Sequence, residues 1–267
     1  MWAGIINNPC LVFRMAQHQT SAVVLDLRDH GESDKIVTFF SDTIGKFTGI
    51  AKGAKRSKKR FVNKLELFTL LFVDFTENIR STLVRIDAAE LLDPHVRLRE
   101  NYTAYTAAAL VSEMYIHGTR ELDADPDLFR LLYWDLDQLT RGMDPARSIL
   151  VFLIKFYTLL GYQPHLSGCI KCATLSAKKV PYRFHINRNA IVCASCAGTS
   201  GPEDIILSLN TIMMLAKAME MGLDKVGRLQ FSDTSIIEAT KFLKRYGTSL
   251  LHRDIHSWQH YEKSVFK

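Results

Sequence analysis

At Pro94 the apolar residues of the chain change period, and this change dictates two structural units of different kind. Upstream, residues 22–27, 35–41 and 46–52 form short stretches rich in Val, Ile, Phe and Thr. The turn-like runs Asp29-His30-Gly31 and Ser41-Asp42-Thr43 separate them. Residues 67–75 and 82–91 follow as two longer strands, with Glu77-Asn78 as their turn. Five strands without an intervening helix imply a small antiparallel barrel of the OB type. Downstream, Tyr102, Tyr105, Ala109, Ser112 and Ile116 recur three or four apart, as on one helical face. Asp125-Pro126 and Asp144-Pro145 each set an N-cap acceptor before a proline suited to the first helical turn. The second of these helices, 146–160, ends at Gly161 and is apolar almost all round, which makes it the expected centre of a bundle.

Two further helices are expected. Ser208 caps one that Gly222 terminates, and Ser235-Ile236-Ile237-Glu238 reads as a capping box opening the last. In that last helix Ile236, Ala239, Leu243, Tyr246 and Leu250 would face inward. The expected fold class is therefore α+β: an N-terminal barrel followed by a helical bundle that carries a cysteine-rich insertion. The expected divisions are an N-terminal extension at 1–20, the barrel at 21–93, helical segments at 94–164 and 202–267, and the insertion at 165–201.

Within that insertion, Cys169-Ile-Lys-Cys172 and Cys193-Ala-Ser-Cys196 are two pairs with two residues inside each. This spacing lets both thiolates of a knuckle reach one cation, and the hairpin-length segment between the pairs completes a tetrahedron. Four thiolates leave no open position, so the expected ion is structural zinc, with iron–sulfur and a redox dithiol as the alternatives. His165 and His185 are expected at the surface, and Cys10 is left as an unpaired thiol.

The chain has 34 Lys+Arg against 28 Asp+Glu, but the excess is concentrated. Residues 46–64 carry Lys46, Lys52, Lys55, Arg56, Lys58, Lys59, Arg60 and Lys64 with no acidic residue. A second excess in the last helical segment includes Lys241, Lys244, Arg245 and Arg253. Positive charge concentrated beside Gly49 and Gly53, on a barrel loop, suits a polyanion, because each phosphate neutralised releases counterions. Phe47, Phe61 and Phe68 are candidates to stack on bases, with a place in the barrel core as the alternative for Phe47 and, above all, Phe68.

Several classes are excluded or disfavoured. Apolar residues at 47% and charged residues at 23% rule out a disordered or fibrous chain. The longest apolar run, 149–160, is interrupted by Lys155 and falls short of the roughly 20 residues that span a bilayer. Arg14 follows the early apolar residues instead of preceding them, so no secretory leader is expected and the expected location is cytoplasmic. Gly45-Lys46 lacks the upstream glycine of a P-loop, and no GxGxxG, GxSxG or HExxH occurs. His252, His256 and His260, four apart, add to the C-terminal positive charge better than they hold a metal. Asp123, Asp125 and Asp127 fit helix capping, and Asp135 and Asp137 cannot share a helical face. No acid/base pair is expected, and the chain does not read as an enzyme.

Four strings resemble the opening of the bacterial RecO family of DNA repair proteins. They are Ala22-Val23-Val24-Leu25-Asp26-Leu27-Arg28, Gly31-Glu32-Ser33-Asp34-Lys35-Ile36-Val37, Gly45-Lys46, and above all Ala51-Lys52-Gly53-Ala54-Lys55-Arg56. Gly161-Tyr162-Gln163-Pro164 before the first cysteine pair is similar too, and the resemblance runs over roughly residues 20 to 252. It departs at the front, where RecO sequences begin only a few residues before the first strand. The resemblance implies an OB barrel, a helical bundle and a zinc insertion. It also implies a non-enzymatic mediator of the RecF pathway, associated with the nucleoid, that binds single- and double-stranded DNA. Such a protein anneals complementary strands coated with single-strand-binding protein (SSB) and, with RecR, promotes RecA loading. The C-terminal basic patch would receive the acidic tail of SSB or add DNA contacts. The alternative reading is an OB-fold RNA-binding or transcription-associated zinc protein.

Overall fold

The structure is a computed structural model that describes residues 17–77, 82–198 and 204–266. Most of the expected N-terminal extension, Cys10, Asn78, Gly201 and Lys267 lie outside the described residues. Strand β1 (Gln17–His30) begins ahead of the expected start and is long enough to pair with two neighbours. Strands β2 (Asp34–Ser41), β3 (Gly45–Ala51), β4 (Leu70–Thr76) and β5 (Val84–Asp93) complete a closed barrel in the order β1-β2-β3-β5-β4.

All pairs are antiparallel except the closure, where β3 runs parallel to β5 through Gly49↔Val84 and Ile50↔Arg85. The antiparallel barrel expected from the strand count is thus corrected at one seam. An odd number of strands cannot close with every neighbour reversed, so one pair must run parallel. Gly49 permits the seam to close tightly, because a Cβ there would lie 2.5 Å from Ile86 Cδ1. Alternate residues of the strands, among them Ala22, Val24, Val37, Phe39, Phe47, Leu71 and Val73, fill the barrel.

The helical part opens with α1 (Arg97–Glu100) and α2 (Tyr102–Gly118), capped by the Asn101 side chain on the N–H groups of Thr103 and Ala104. Asp125 and Asp144 cap α3 (Pro126–Thr140) and α4 (Pro145–Leu159) as their positions before proline predict. Ile149 to Ile154 are all buried, so α4 is central. The face expected for α2 is only partly inward: Tyr102 is exposed, while Ala107, Ala108, Leu110, Val111, Met114 and Tyr115 are buried. This helix is wedged between the barrel and α4, with Tyr115 edge-on to Phe40 of β2 and stacked on Phe152.

Strands β6 (Tyr182–His185), β7 (Ala190–Cys193) and β8 (Ile205–Leu207) form a small sheet in the order β7-β6-β8. It is followed by α5 (Leu209–Glu220), α6 (Leu223–Val226), α7 (Asp233–Leu251) and α8 (Ser257–Val265). The capping box expected at Ser235 is not formed. Ser232 caps α7 on the N–H of Ser235 at 3.2 Å, and Ser235 is buried within the helix. Glu238 instead reaches across to α5, accepting from Ser208 Oγ at 2.7 Å and from Ser208 N, and so supports the Ser208 cap. The three C-terminal histidines share no helical face. His252 ends α7 in the left-handed region (φ 50°), His256 precedes α8, and only His260 lies within it.

Candidate nucleic-acid interface and metal centre

Strand β3 leads into the basic loop through Gly53, whose φ of 68° suits glycine, and a short 3-10 turn at Ala54–Arg56. The β1–β2 turn holds this loop in place. Gly53 N donates to Asp34 Oδ1 at 2.8 Å, and Lys55 N donates to Ser33 O at 2.9 Å. The Gly53 N–H and the Ser33 hydroxyl hold the Asp34 carboxyl below the usual carboxylate range. The same turn engages two of the cations: Lys55 Nζ meets Asp29 Oδ2 at 2.8 Å and Arg56 meets Glu32 at 3.5 Å.

The remaining cations divide into two groups. Arg60 donates to Asp87 O and Lys52 O, both at 3.3 Å, and lies over the Phe61 ring. Lys64 Nζ donates to Ala89 O at 2.7 Å. These two fasten the loop to β5, and Arg60 also ties it to its own first residue, Lys52. Lys52, Lys58 and Lys59 are exposed and form no ion pair among the described residues, so they are the outward charges of the loop.

Lys46 does not belong to that surface, contrary to its place in the expected phosphate track. It is 7% exposed, and its ammonium donates to Ile116 O and Thr119 O, both at 2.6 Å, at the C-terminal end of α2. Burial pulls its pKa down, and Glu121 at 3.7 Å opposes that pull. A cation on the last carbonyls of a helix satisfies groups that have no partner within the helix and meets the negative end of its dipole. The neighbouring Gly45 (φ 78°) lets the backbone of Asp123 come so close that a Cβ would overlap its carbonyl. Lys46 therefore locks the barrel to the bundle. Register carries the missed signal: Lys46 pairs with Phe40, whose side chain faces the helices and not the barrel interior.

The phenylalanines offered for base stacking are also spent on the core. Phe47 is stacked between Phe39 and Phe75 inside the barrel, and Phe61 is 3% exposed in the same cluster. Phe68 is 1% exposed and packs edge-on to Tyr105. Aromatic residues in a polar loop can serve as its anchor, and Phe61 does so, since its N–H donates to Ser57 Oγ at 3.1 Å.

On α7, Lys241 and Arg245 are exposed, as is Arg253 beyond the helix end. Lys244 is paired with both carboxylate oxygens of Glu262 on α8 at 2.8 Å. Between these helices runs a groove of about 630 Å³ with an apolar floor that includes Ile186, Ile237 and Phe266 and with Lys241 and Arg245 on its lining.

The four cysteines converge as expected. Their sulfur atoms all lie within 4.8 Å of one another, and Cys172 Sγ and Cys193 Sγ are 3.8 Å apart. A tetrahedron with metal–sulfur bonds of about 2.3 Å has sulfur–sulfur edges of about 3.8 Å, so the donor set fits a single ion. A multi-iron cluster would sit among thiolates held farther apart. Turns shape each knuckle: Ala173 N donates to Cys169 O at 2.7 Å and Cys196 N to Cys193 O at 3.0 Å. Hydrogen bonding by the neighbouring Cys193 and Cys172 thiols pushes the Cys196 thiol up to about 12. For Cys169, burial works against ionisation, but backbone hydrogen bonds from Cys193, Cys172 and Lys171 outweigh it and lower the pKa. His165 and His185 stand outside the donor set, His185 being paired with Asp204 at 2.7 Å.

Comparison with known proteins decides the family. The model described as Recombination protein O N terminal matches residues 15–95, and that described as Recombination protein O C terminal matches residues 99–259. The chain belongs to the RecO family of DNA repair proteins. The DNA repair protein RecO of Syntrophobacter fumaroxidans is 34% identical over 223 residues, covering 83% of this chain and 88% of that protein. That of Syntrophus aciditrophicus is 29% identical over 91% of this chain and 94% of its own length. That of Geobacter metallireducens is 31% identical over 91% and 96%. The closed barrel, the helices and the tetra-cysteine cluster are thus those of a RecO-family member with a role in DNA repair and recombination. Among the described residues no helix is long and apolar enough to cross a membrane.

One residue that the sequence offers no partner for stands out in this RecO-family bundle. Asp135 of α3 is fully buried, accepts from Ser148 Oγ at 2.6 Å, and has no partner for Oδ2 among the described residues. Burial raises its pKa to about 7, with the Ser148 hydrogen bond opposing.

Proposed function

We propose that this chain is a non-enzymatic recombination mediator that binds single- and double-stranded DNA through the barrel loop. It anneals complementary strands coated with SSB and, with RecR, promotes RecA loading. The observation that carries this reading is the loop itself. Lys52, Lys58 and Lys59 project from a segment clamped on both sides, so their charges are presented without a large ordering cost. Annealing then needs only that repulsion between two phosphate backbones be screened while bases pair, and no bond in the nucleic acid is made or broken.

The groove between α7 and α8 suits the SSB tail, because an acidic and apolar peptide would find cations on its rim and an apolar floor. Zinc at Cys169, Cys172, Cys193 and Cys196 is structural in this reading and ties the Cys169–Cys172 knuckle to the end of β7 at Cys193. In this reading the protein acts in the cytoplasm, at the nucleoid.

The test is strand annealing with SSB-coated complementary oligonucleotides, with and without RecR. Acceleration supports the proposal, and no acceleration in either case overturns it. Tighter binding of single-stranded RNA than of DNA of equal length would instead favour the RNA-binding reading.

A further inference from the structure

Residues 145–202 contain no Asp or Glu, yet they carry Arg147, Lys155, Lys171, Lys178, Lys179, Arg183 and Arg188. Two of these serve the bundle. Lys155 Nζ donates to Met219 O and Met221 O at the end of α5, and Arg147 reaches Gln230 at 3.4 Å. The other five belong to the cysteine module. Four thiolates around one divalent ion leave two negative charges, so five cations exceed what the centre needs for neutrality. Lys171 stays close to it, donating to Cys196 O at 2.8 Å.

The small sheet sorts the others. Tyr182 and Phe184 of β6 face the bundle, where Phe184 meets Phe242 and Tyr246 of α7 edge-on. Arg183, between them, is on the opposite face, in register with Ile206 of β8, which is 53% exposed. Lys178 and Arg188 are exposed at the two ends of that strand. None of the three is ion-paired among the described residues. The module's one described carboxylate, Asp204, has a largely covered side chain that His185 holds at 2.7 Å. Among the described residues the outer face therefore lacks the mixed signs of an ordinary solvated surface.

We infer that the outer face of the cysteine module, through Lys178, Arg183 and Arg188, is a second nucleic-acid surface that binds the phosphodiester backbone independently of the barrel loop. The inference rests on the nucleic-acid-binding function proposed above and deepens it. Two separate basic surfaces allow one strand to occupy each, which brings two strands together while the repulsion between them is screened.

The test uses the full metal-bound chain and the variant Lys178→Gln/Arg183→Gln/Arg188→Gln, beside a barrel-loop variant Lys52→Gln/Lys58→Gln/Lys59→Gln. Affinity for a long single-stranded oligonucleotide is measured by fluorescence anisotropy across a salt series. The module variant, with metal content unchanged, is expected to lower the log–log salt slope by about 2 and to weaken low-salt binding by roughly tenfold. Its annealing rate should fall as well. If Arg183 is needed for folding, Lys178→Gln/Arg188→Gln, at two exposed positions, decides alone with a slope change of about 1. A module variant with unchanged affinity, slope and annealing rate overturns the inference, while a loss in the barrel-loop variant leaves the proposed function standing. Absence of nucleic-acid binding by the unaltered chain overturns both.

Discussion

Replacing Lys46 by Met separates the two roles that a cation in a basic segment can have. The substitution keeps the aliphatic stem and removes the ammonium that bridges Ile116 O and Thr119 O. Hydrogen bonds from a charged donor contribute about 1.5–3 kcal/mol each, and part of that is cancelled by taking the ammonium out of water. The same desolvation is what lowers its pKa. Losing both bonds and leaving two carbonyls at a covered helix end should cost about 2–4 kcal/mol net. For a chain of this size that corresponds to a Tm lower by roughly 4–8 °C. Thermal unfolding followed by circular dichroism reads the first effect, and anisotropy with labelled single-stranded DNA, well below the new Tm, reads the second. The expected outcome is a large fall in Tm with DNA affinity and salt slope within error of the parent. An unchanged Tm with a salt slope reduced by about 1 would refute the structural assignment and return Lys46 to the phosphate track.

The carboxylates of the β1–β2 turn occupy cations that phosphates would otherwise take. Asp29→Asn/Glu32→Gln should therefore raise DNA affinity roughly threefold to tenfold at low salt and steepen the salt slope; weaker binding would show that the turn instead orients the loop. Asp135 releases its proton near pH 4 when unfolded and near pH 7 when folded, so the folded state binds the extra proton in between and stability falls as pH rises across that window. The rise from 3.8 to about 7 corresponds to about 4 kcal/mol. Asp135→Asn should abolish that slope and be the more stable protein at pH 8 by about 1–3 kcal/mol, after the cost of unpaired amide hydrogens; a Tm difference that is flat between pH 4 and 8 would count against it. Cys193→Ser should reduce bound zinc from about one per chain to near zero and expose residues 165–198 to proteolysis while the barrel resists; full metal retention would remove the site.

What could be read from the chain was what is local in sequence. Asp125, Asp144 and Ser208 bond to N–H groups two or three residues on, and the knuckles need only a spacing of three, so the helix starts and the cysteine cluster were legible. The errors arose where a polar side chain has a remote partner. Glu238 belongs to Ser208 and not to its own helix start, and Lys46 belongs to a helix end 70 residues away. Charge density shows where cations are numerous but not which are already engaged. In the basic segment Lys46 and Lys64 are committed to carbonyls, Lys55 and Arg56 to carboxylates, and Arg60 to the carbonyls of Lys52 and Asp87. The converse error is instructive too. The acid-free stretch around the cysteines is inconspicuous in sequence because its cations are dispersed, yet alternation along β6 keeps Arg183 off the bundle side, with no ion pair among the described residues. For a polyanion the count of free cations on one face matters more than their density along the chain, and a fold can invert the two.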